Sequence, residues 1–291
     1  MPIIPKFIIL HLEQFYYKFL SVMQKGVTVS AVVPAYNEEK AVGKIVDTLL
    51  ACSLNQVVCI NDGSTDQTEQ ILENFGRQIT LVNHERNLGK GFALASGIKA
   101  AQGHVVMFVD ADLQNLKKKH ISQLLDTFLT KKYEVVIGVR SFEKANYYLP
   151  LKLNISGERV YWRDSLLPYL TQMRKMNFGG VEVFLNSLFK KNQVRRIILE
   201  GLYNPPKHQK RGFEAGIKEY LQEGVEIALE LSKLERAPLE DYLRIKKIMK
   251  LRNIKDIRSQ INSITNKYVK SSLKLYFKKY MEGIQKILTK I

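Results

Sequence analysis

Residues Gly103 to Leu116, G-H-V-V-M-F-V-D-A-D-L-Q-N-L, are the stretch from which the rest of the chain can be read. Val105 to Val109 form a short apolar run, as expected of a strand buried on both faces. Asp110, Ala111 and Asp112 stand at its end, with Gln114 two positions on. Two carboxylates at the end of a buried strand are costly unless positive charge sits between them. A hard divalent cation that bridges them to a phosphate would supply it, because Mg2+ prefers carboxylate and phosphate oxygens. An isolated Asp-x-Asp is more often a solvated turn, so the surrounding sequence has to decide.

Outward from this stretch, short apolar runs alternate with helical segments, the pattern of a parallel-sheet α/β layout. Strands are expected at 27–33, 57–60, 79–82, 105–109 and 133–139, and helices at 40–51, to about Phe75, from Gly91 through Ala101, and at 120–131. The polar residues Tyr36, Asn37, Glu38, Asp62, Lys90, Asp110, Asp112 and Arg140 fall after these strands or at the start of the Gly91 helix. Open α/β sheets place ligands at the carboxyl ends of their strands, so these side chains are expected on one rim. Each alone could cap a helix or close a turn. Residues 141–224 are less regular, and hold S-G-E-R at 156–159 and N-F-G-G-V-E at 177–182.

The chain has 291 residues and a net charge of +17, enough length for one large domain with an appendage. The charge is uneven: 16 basic and 14 acidic residues lie in 1–150, against 29 and 14 in 151–291. The basic half implies an anionic partner: a phosphorylated acceptor, an anionic membrane surface or nucleic acid. Beyond Pro238, Ile248, Leu251, Ile254, Ile257, Ile261, Ile264 and Tyr268 recur at helical spacing among lysines and arginines. This reads as a basic amphipathic tail that docks on a membrane, on another helix or on the protein's own domain. Residues 1–26 lack an uninterrupted apolar span and read as a surface helix. The expected organisation is thus 1–26, a domain at 27–236 and a tail at 237–291. Cys52 and Cys59 give neither a disulfide framework nor zinc spacing, which fits a reducing cytoplasmic setting, with attachment to the membrane's cytoplasmic face left open.

Residues 28 to 186 resemble the family 2 glycosyltransferases with a GT-A fold, a Rossmann-like, mostly parallel sheet. The matching motifs are V-S-A-V-V-P-A-Y-N-E-E, V-V-C-I-N-D-G-S-T-D, N-L-G-K-G-F-A-L-A-S-G, V-V-M-F-V-D-A-D-L-Q and V-V-I-G-V-R. S-G-E-R further resembles the branch that makes polyprenyl- or dolichyl-phosphate sugars. The resemblance implies a nucleotide-diphosphate sugar donor, Mg2+ or Mn2+, and a lipid-phosphate acceptor. Pro34, Ala35, Tyr36 and Glu38 would hold the nucleoside, and Asp62 would meet the base or ribose. Lys90 would belong to a phosphate-gripping loop. Asp110, Ala111 and Asp112 would reach the ribose and the metal, with Gln114 and His208 as further metal ligands. Arg140 and Arg159 would face the diphosphate or the acceptor phosphate. Glu182 would stand near the acceptor, where it could serve as a base for a hydroxyl.

The sequence departs from the family pattern in two places. Asn61 replaces an acid before Asp62, and no E-D or Q-x-x-R-W pair follows Gly180, unlike processive polysaccharide synthases. No transmembrane pair follows the domain, so an integral-membrane form is not expected. Two rivals share parts of the pattern. A nucleotidyltransferase would release pyrophosphate rather than a nucleoside diphosphate. A nucleic-acid-binding protein would use the basic tail with a steep salt dependence, a reading the tail's apolar stripe disfavours.

Overall fold

The computed structural model describes residues 26–130, 133–141, 154–205, 212–251 and 254–288. The expected N-terminal helix and His208 lie outside them. Among the described residues, seven strands form one sheet: β1 Val29–Ala35, β2 Gln56–Asn61, β3 Thr80–Asn83, β4 Val105–Phe108, β5 Val135–Arg140, β6 Arg159–Trp162 and β7 Val194–Leu199. Their order is β3-β2-β1-β4-β6-β5-β7. All neighbours run parallel except β6, which is antiparallel to both β4 and β5. The expected mostly parallel α/β sheet is therefore present.

Alternation along the strands builds two layers of core. Ala31 and Val33 of β1 share one face with Cys59 and Met107, under helices α1 (Val42–Leu50) and α4 (Lys118–Thr130). The short helix α2 is Thr68–Glu73, and α3 is Lys90–Ala100. Val32 joins Val58, Ile60, Val106 and Phe108 on the opposite face, under α3. The Cys59 thiol is fully buried, and burial pushes its pKa up to about 12, so it is a packed, inert group.

The topology positions the site. From the edge strand β3 the chain returns through α3 to β4, beside β1. Strand order reverses there, and the carboxyl ends of β1 and β4 flank the crevice where such sheets take ligands. Strand β6 then runs back against β4, pairing Arg159 with Phe108, so the residues just before β6 lie level with Asp110. The Gly138 amide donates to the Glu158 carbonyl at 2.8 Å and locks that level. After β6 come the single turns α5 (Arg163–Leu166) and α6 (Leu170–Met173), then α7 (Phe178–Ser187), which packs Val181 and Leu185 against the second layer.

The C-terminal part is a third core rather than a free tail. Helices α8 (Phe213–Leu234), α9 (Leu239–Ile248), α10 (Ile254–Asn262) and α11 (Lys267–Leu288) follow β7. Ile248, Ile257, Ile261 and Ile264 are buried with Val225, Ile227, Ala228 and Leu231 of α8 and Val183 of α7. Leu251 and Tyr268 pack against the same cluster. Of the three dockings left open for the stripe, this is the one on the protein's own domain: those side chains face the protein. The expected boundary at 236/237 falls inside this unit, because α8 and α9–α11 share one core. The stripe is also broken into three helices. Asp241 makes the second break, accepting from the Thr265 amide at 2.8 Å, its hydroxyl at 2.9 Å and the Asn266 amide at 2.6 Å. Asn266 then caps α11 through the Val269 amide at 3.0 Å.

Candidate active site

The loops after β1 and β2 are tied to each other. Asn37, at φ 55°, accepts from the Thr65 amide at 2.8 Å, and its own amide donates to Ser64 Oγ at 3.0 Å. The Glu38 amide donates to Thr68 Oγ1 at 2.8 Å. Ala35 and Pro34 complete β1, and Tyr36 beside them is an exposed aromatic on the rim. An exposed ring held on a rigid rim offers a flat stacking surface.

Asp62 is buried and its carboxylate is engaged by protein. Oδ1 meets His84 Nδ1 at 2.7 Å and the Leu88 amide at 3.0 Å, and Oδ2 takes the Gly89 amide at 2.8 Å. These three bonds shape the turn that presents Lys90 and engage both oxygens of Asp62 with protein, whereas the expectation set this carboxylate directly against a base or ribose. His84 was not foreseen from sequence: its Nε2 meets Ser96 Oγ at 3.0 Å and its ring lies edge-on to Phe92. The Lys90 amide, first in α3, donates to Asn177 Oδ1 at 2.9 Å, which joins α3 to the segment before α7.

Five charged groups converge at the crevice. Lys90 Nζ stands 2.9 Å from Asp110 Oδ1 and 2.7 Å from Glu182 Oε1. Arg140 Nη1, from the end of β5, lies 3.8 Å from Asp110 Oδ2 and 4.0 Å from Glu158 Oε1. Gly157 makes room for this approach, since a Cβ there would stand 2.2 Å from Asp110 Oδ2. Burial acts to lower the Lys90 pKa, but the Asp110 and Glu182 carboxylates outweigh it and hold it above the ordinary lysine range. Burial raises the Glu182 pKa against the opposing pull of Lys90 and Arg159. Glu158 is 1% exposed, and neither of its carboxylate oxygens has a hydrogen-bond partner. Burial, opposed by Arg140 and reinforced by Asp110, pushes its pKa up to about 7.

Three expected roles are corrected by this geometry. Arg159 is 1% exposed and faces no open crevice. Its Nε donates to the Ser156 carbonyl at 2.6 Å, Nη1 to Asn186 Oδ1 at 2.8 Å and Nη2 to the Asn154 carbonyl at 2.8 Å. It pins the 154–157 segment to α7 instead of meeting a phosphate. Gln114 gives its side-chain oxygen to the Tyr203 hydroxyl, and its backbone bridges to Tyr203, so it anchors the Asp-x-Asp turn rather than pointing at a cation. Asp62 is the third, as described. Asp110, Ala111, Asp112 and Arg140 do stand on the expected rim, Asp112 half-buried.

Among the described residues no three His, Cys, Asp or Glu side chains converge as a complete protein-only metal site. That fits a cation such as Mg2+, which takes one or two carboxylates and completes its shell with substrate phosphates and water. Asp112, half-buried on the rim, and Asp110, beside Lys90 and Arg140, are the carboxylates of the Asp-x-Asp turn.

The profile of glycosyl transferase family 2 matches residues 30–195. A dolichyl-phosphate beta-glucosyltransferase of Trichomonas vaginalis is 32% identical over 150 residues, covering 45% of this chain and 46% of that protein. A dodecaprenyl-phosphate galacturonate synthase of Rhizobium johnstonii is 28% identical over 134 residues, 43% of this chain and 39% of the relative. The chain thus spans less than half the length of these relatives. Glucosyl-3-phosphoglycerate synthase of Mycobacterium tuberculosis, solved with Mn2+, UDP and phosphoglyceric acid, superposes with a TM-score of 0.52 at 21% identity. The superposition covers 69% of this chain and 79% of that one, and it shows a shared fold.

Proposed function

The chain belongs to glycosyl transferase family 2, and we propose that it moves a sugar from a nucleotide-diphosphate sugar to a phosphate-bearing acceptor. The observation that carries the choice of acceptor is the state of Glu182. Its Oε1 is held 2.7 Å from the Lys90 ammonium, and the residue is buried. Burial raises its pKa, but Oε1 is taken by Lys90 and Oε2 is sealed from solvent, so the carboxylate presents no open oxygen to an acceptor hydroxyl. A phosphate acceptor is already ionised and needs no base. Relatives named for dolichyl phosphate and dodecaprenyl phosphate support the same reading.

In this mechanism the donor's nucleoside lies along Pro34 to Tyr36 with its base on the Tyr36 ring, and its diphosphate reaches the crevice between β1 and β4. An acceptor phosphate oxygen attacks the anomeric carbon. The bond from that carbon to the diphosphate breaks, and the electron pair leaves on the diphosphate oxygen. Arg140 and Lys90 stabilise the charge that develops there. Asp112 would hold Mg2+ or Mn2+ together with the donor's phosphates, and the cation supplies Lewis-acid charge to the leaving group when bound. Asp110 orients Lys90, and Asp62 orients the turn that carries it. The lipid-borne form of the acceptor brings the reaction to a membrane surface. Among the described residues no helix is long and apolar enough to cross one.

The test is release of nucleoside diphosphate with two acceptors: a polyprenyl phosphate and the corresponding free polyprenol. Turnover with a phosphate acceptor and none with the alcohol is expected. Glu182→Gln keeps an oxygen for Lys90 and should lower turnover by no more than about tenfold, whereas loss of a general base costs about 10²–10⁴-fold. Turnover with the alcohol that collapses in Glu182→Gln would refute the reading.

A further inference from the structure

The helix α9 buries Asp241, Ile245 and Ile248, and its opposite side is exposed. Leu239 and Leu243, one turn apart, are 74% and 58% exposed there. Lys246 and Lys250 continue the same line at helical spacing, flanked by exposed Lys247 and Met249. Glu240, the exposed acid on the flank, is held by Arg244 at 3.4 Å. Single exposed leucines are ordinary on a protein surface. Two stacked leucines in line with lysines form a composite apolar and cationic face, which water alone does not explain.

We propose that this outer face of α9, and not the buried isoleucine stripe, docks the protein on an anionic lipid surface. Charge complementarity selects the occupant. A second copy of the chain would set lysines against lysines, and a nucleic acid would neutralise the lysines but leave both leucines in water. A bilayer with anionic headgroups satisfies both parts: leucines enter the headgroup–acyl boundary, and lysine stems lie along it with their ammonium groups among the phosphates. The helix lies flat, because its buried side is committed to the third core. The inference rests on the reading of a lipid-borne phosphate acceptor for its purpose, though not for its test.

The test is co-sedimentation of the full chain with vesicles that contain no acceptor: phosphatidylcholine alone, or phosphatidylcholine mixed with phosphatidylglycerol. Binding to the mixed vesicles is expected, with affinity lower by about fivefold for each lysine neutralised. Leu239→Ser/Leu243→Ser and Lys246→Gln/Lys250→Gln should each weaken binding by about tenfold or more. Lys274→Gln/Leu275→Ser, on the exposed side of α11, should leave it unchanged. All these side chains are exposed, and unchanged thermal melting verifies that the variants fold. Wild-type binding by the leucine variant, an equal loss in the α11 variant, self-association through this face in sedimentation velocity, or binding of an RNA oligonucleotide in preference to vesicles would each overturn the proposal. Transfer to a short, detergent-dispersed polyprenyl phosphate is measured separately, without vesicles. Its failure beside intact vesicle binding would refute the enzymatic reading and leave the docking face standing.

Discussion

Replacing Glu158 with glutamine should flatten the protein's stability against pH between about pH 4.5 and 7. The carboxyl is buried, unbonded and pushed from 4.5 up to about 7. In that window the native state holds a proton that the unfolded chain has lost, so stability falls as pH rises. The favourable contribution is whole below the unfolded pKa and gone above the folded one. A shift of this size corresponds to about 3 kcal/mol, at roughly 1.4 kcal/mol per pKa unit. For a chain of this length that is a change in Tm of roughly 5 °C. The assay is thermal unfolding of wild type and Glu158→Gln in matched buffers from pH 5 to pH 8, followed by circular dichroism. Subtracting the two curves removes every other titrating group they share. Glu158→Gln should match wild type at pH 5 and exceed its Tm at pH 8. A difference that stays constant across the range would refute the argument, because a purely steric or packing effect has no pH dependence.

Arg159→Ala should cost roughly 2–5 kcal/mol of stability, since it removes the donors to the Ser156 carbonyl and to Asn186 Oδ1 and one of the two donors to the Asn154 carbonyl; a variant of unchanged Tm with weakened acceptor affinity would restore the phosphate-binding role. Asp241→Ala should lower stability by about 1–3 kcal/mol through loss of the bonds to Thr265 and Asn266. Burial opposes ionisation of Asp241, but those bonds hold its pKa below the usual range, so its contribution is present near neutral pH and fades on acidification, which a denaturant titration at two pH values checks. Asp112→Asn should keep the wild-type Tm while abolishing the dependence of nucleoside-diphosphate affinity on Mn2+ in calorimetry; retained dependence would move the cation elsewhere.

The rim was legible because buried parallel strands read as apolar runs and the polar residues that follow them have nowhere else to go. Tyr36, Lys90, Asp110, Asp112 and Arg140 were all placed that way. Strand β6 was not legible: Arg159–Trp162 is too short for alternation to show, and it runs against its neighbours. That omission explains why Arg159 was misread and Glu158 overlooked. Without β6, S-G-E-R looks like a polar loop whose arginine meets a phosphate, whereas the strand turns Arg159 inward and sets Glu158 beneath Arg140. Glu158 could have been suspected from its place next to a motif residue, but its burial depends on β6. Beyond Pro238 the difficulty is of another kind. An apolar stripe has the same period whether it faces a bilayer or a neighbouring helix, so Ile257, Ile261 and Ile264 alone could not tell α8 from lipid. His84 carries no local signal, being defined by Asp62 across a different strand.

The charge at the crevice is opposite to the charge of the chain. Although the protein carries +17, Lys90 and Arg140 stand among Asp110, Glu158 and Glu182, with Asp112 beside them. Fully ionised, that group has more carboxylates than cations, and a diphosphate brought to it adds further negative charge. Two additions offset this. One would be a divalent cation held at Asp112, and the other a proton kept on Glu158, whose pKa of about 7 permits it. Both leave Lys90 where Asp110 and Glu182 hold it, and both leave Arg140 free of full pairing with Glu158. Donor affinity without a divalent cation should consequently be weak and should fall further as Glu158 ionises. The excess of basic residues lies instead in the C-terminal half, where α9 presents lysines to the outside.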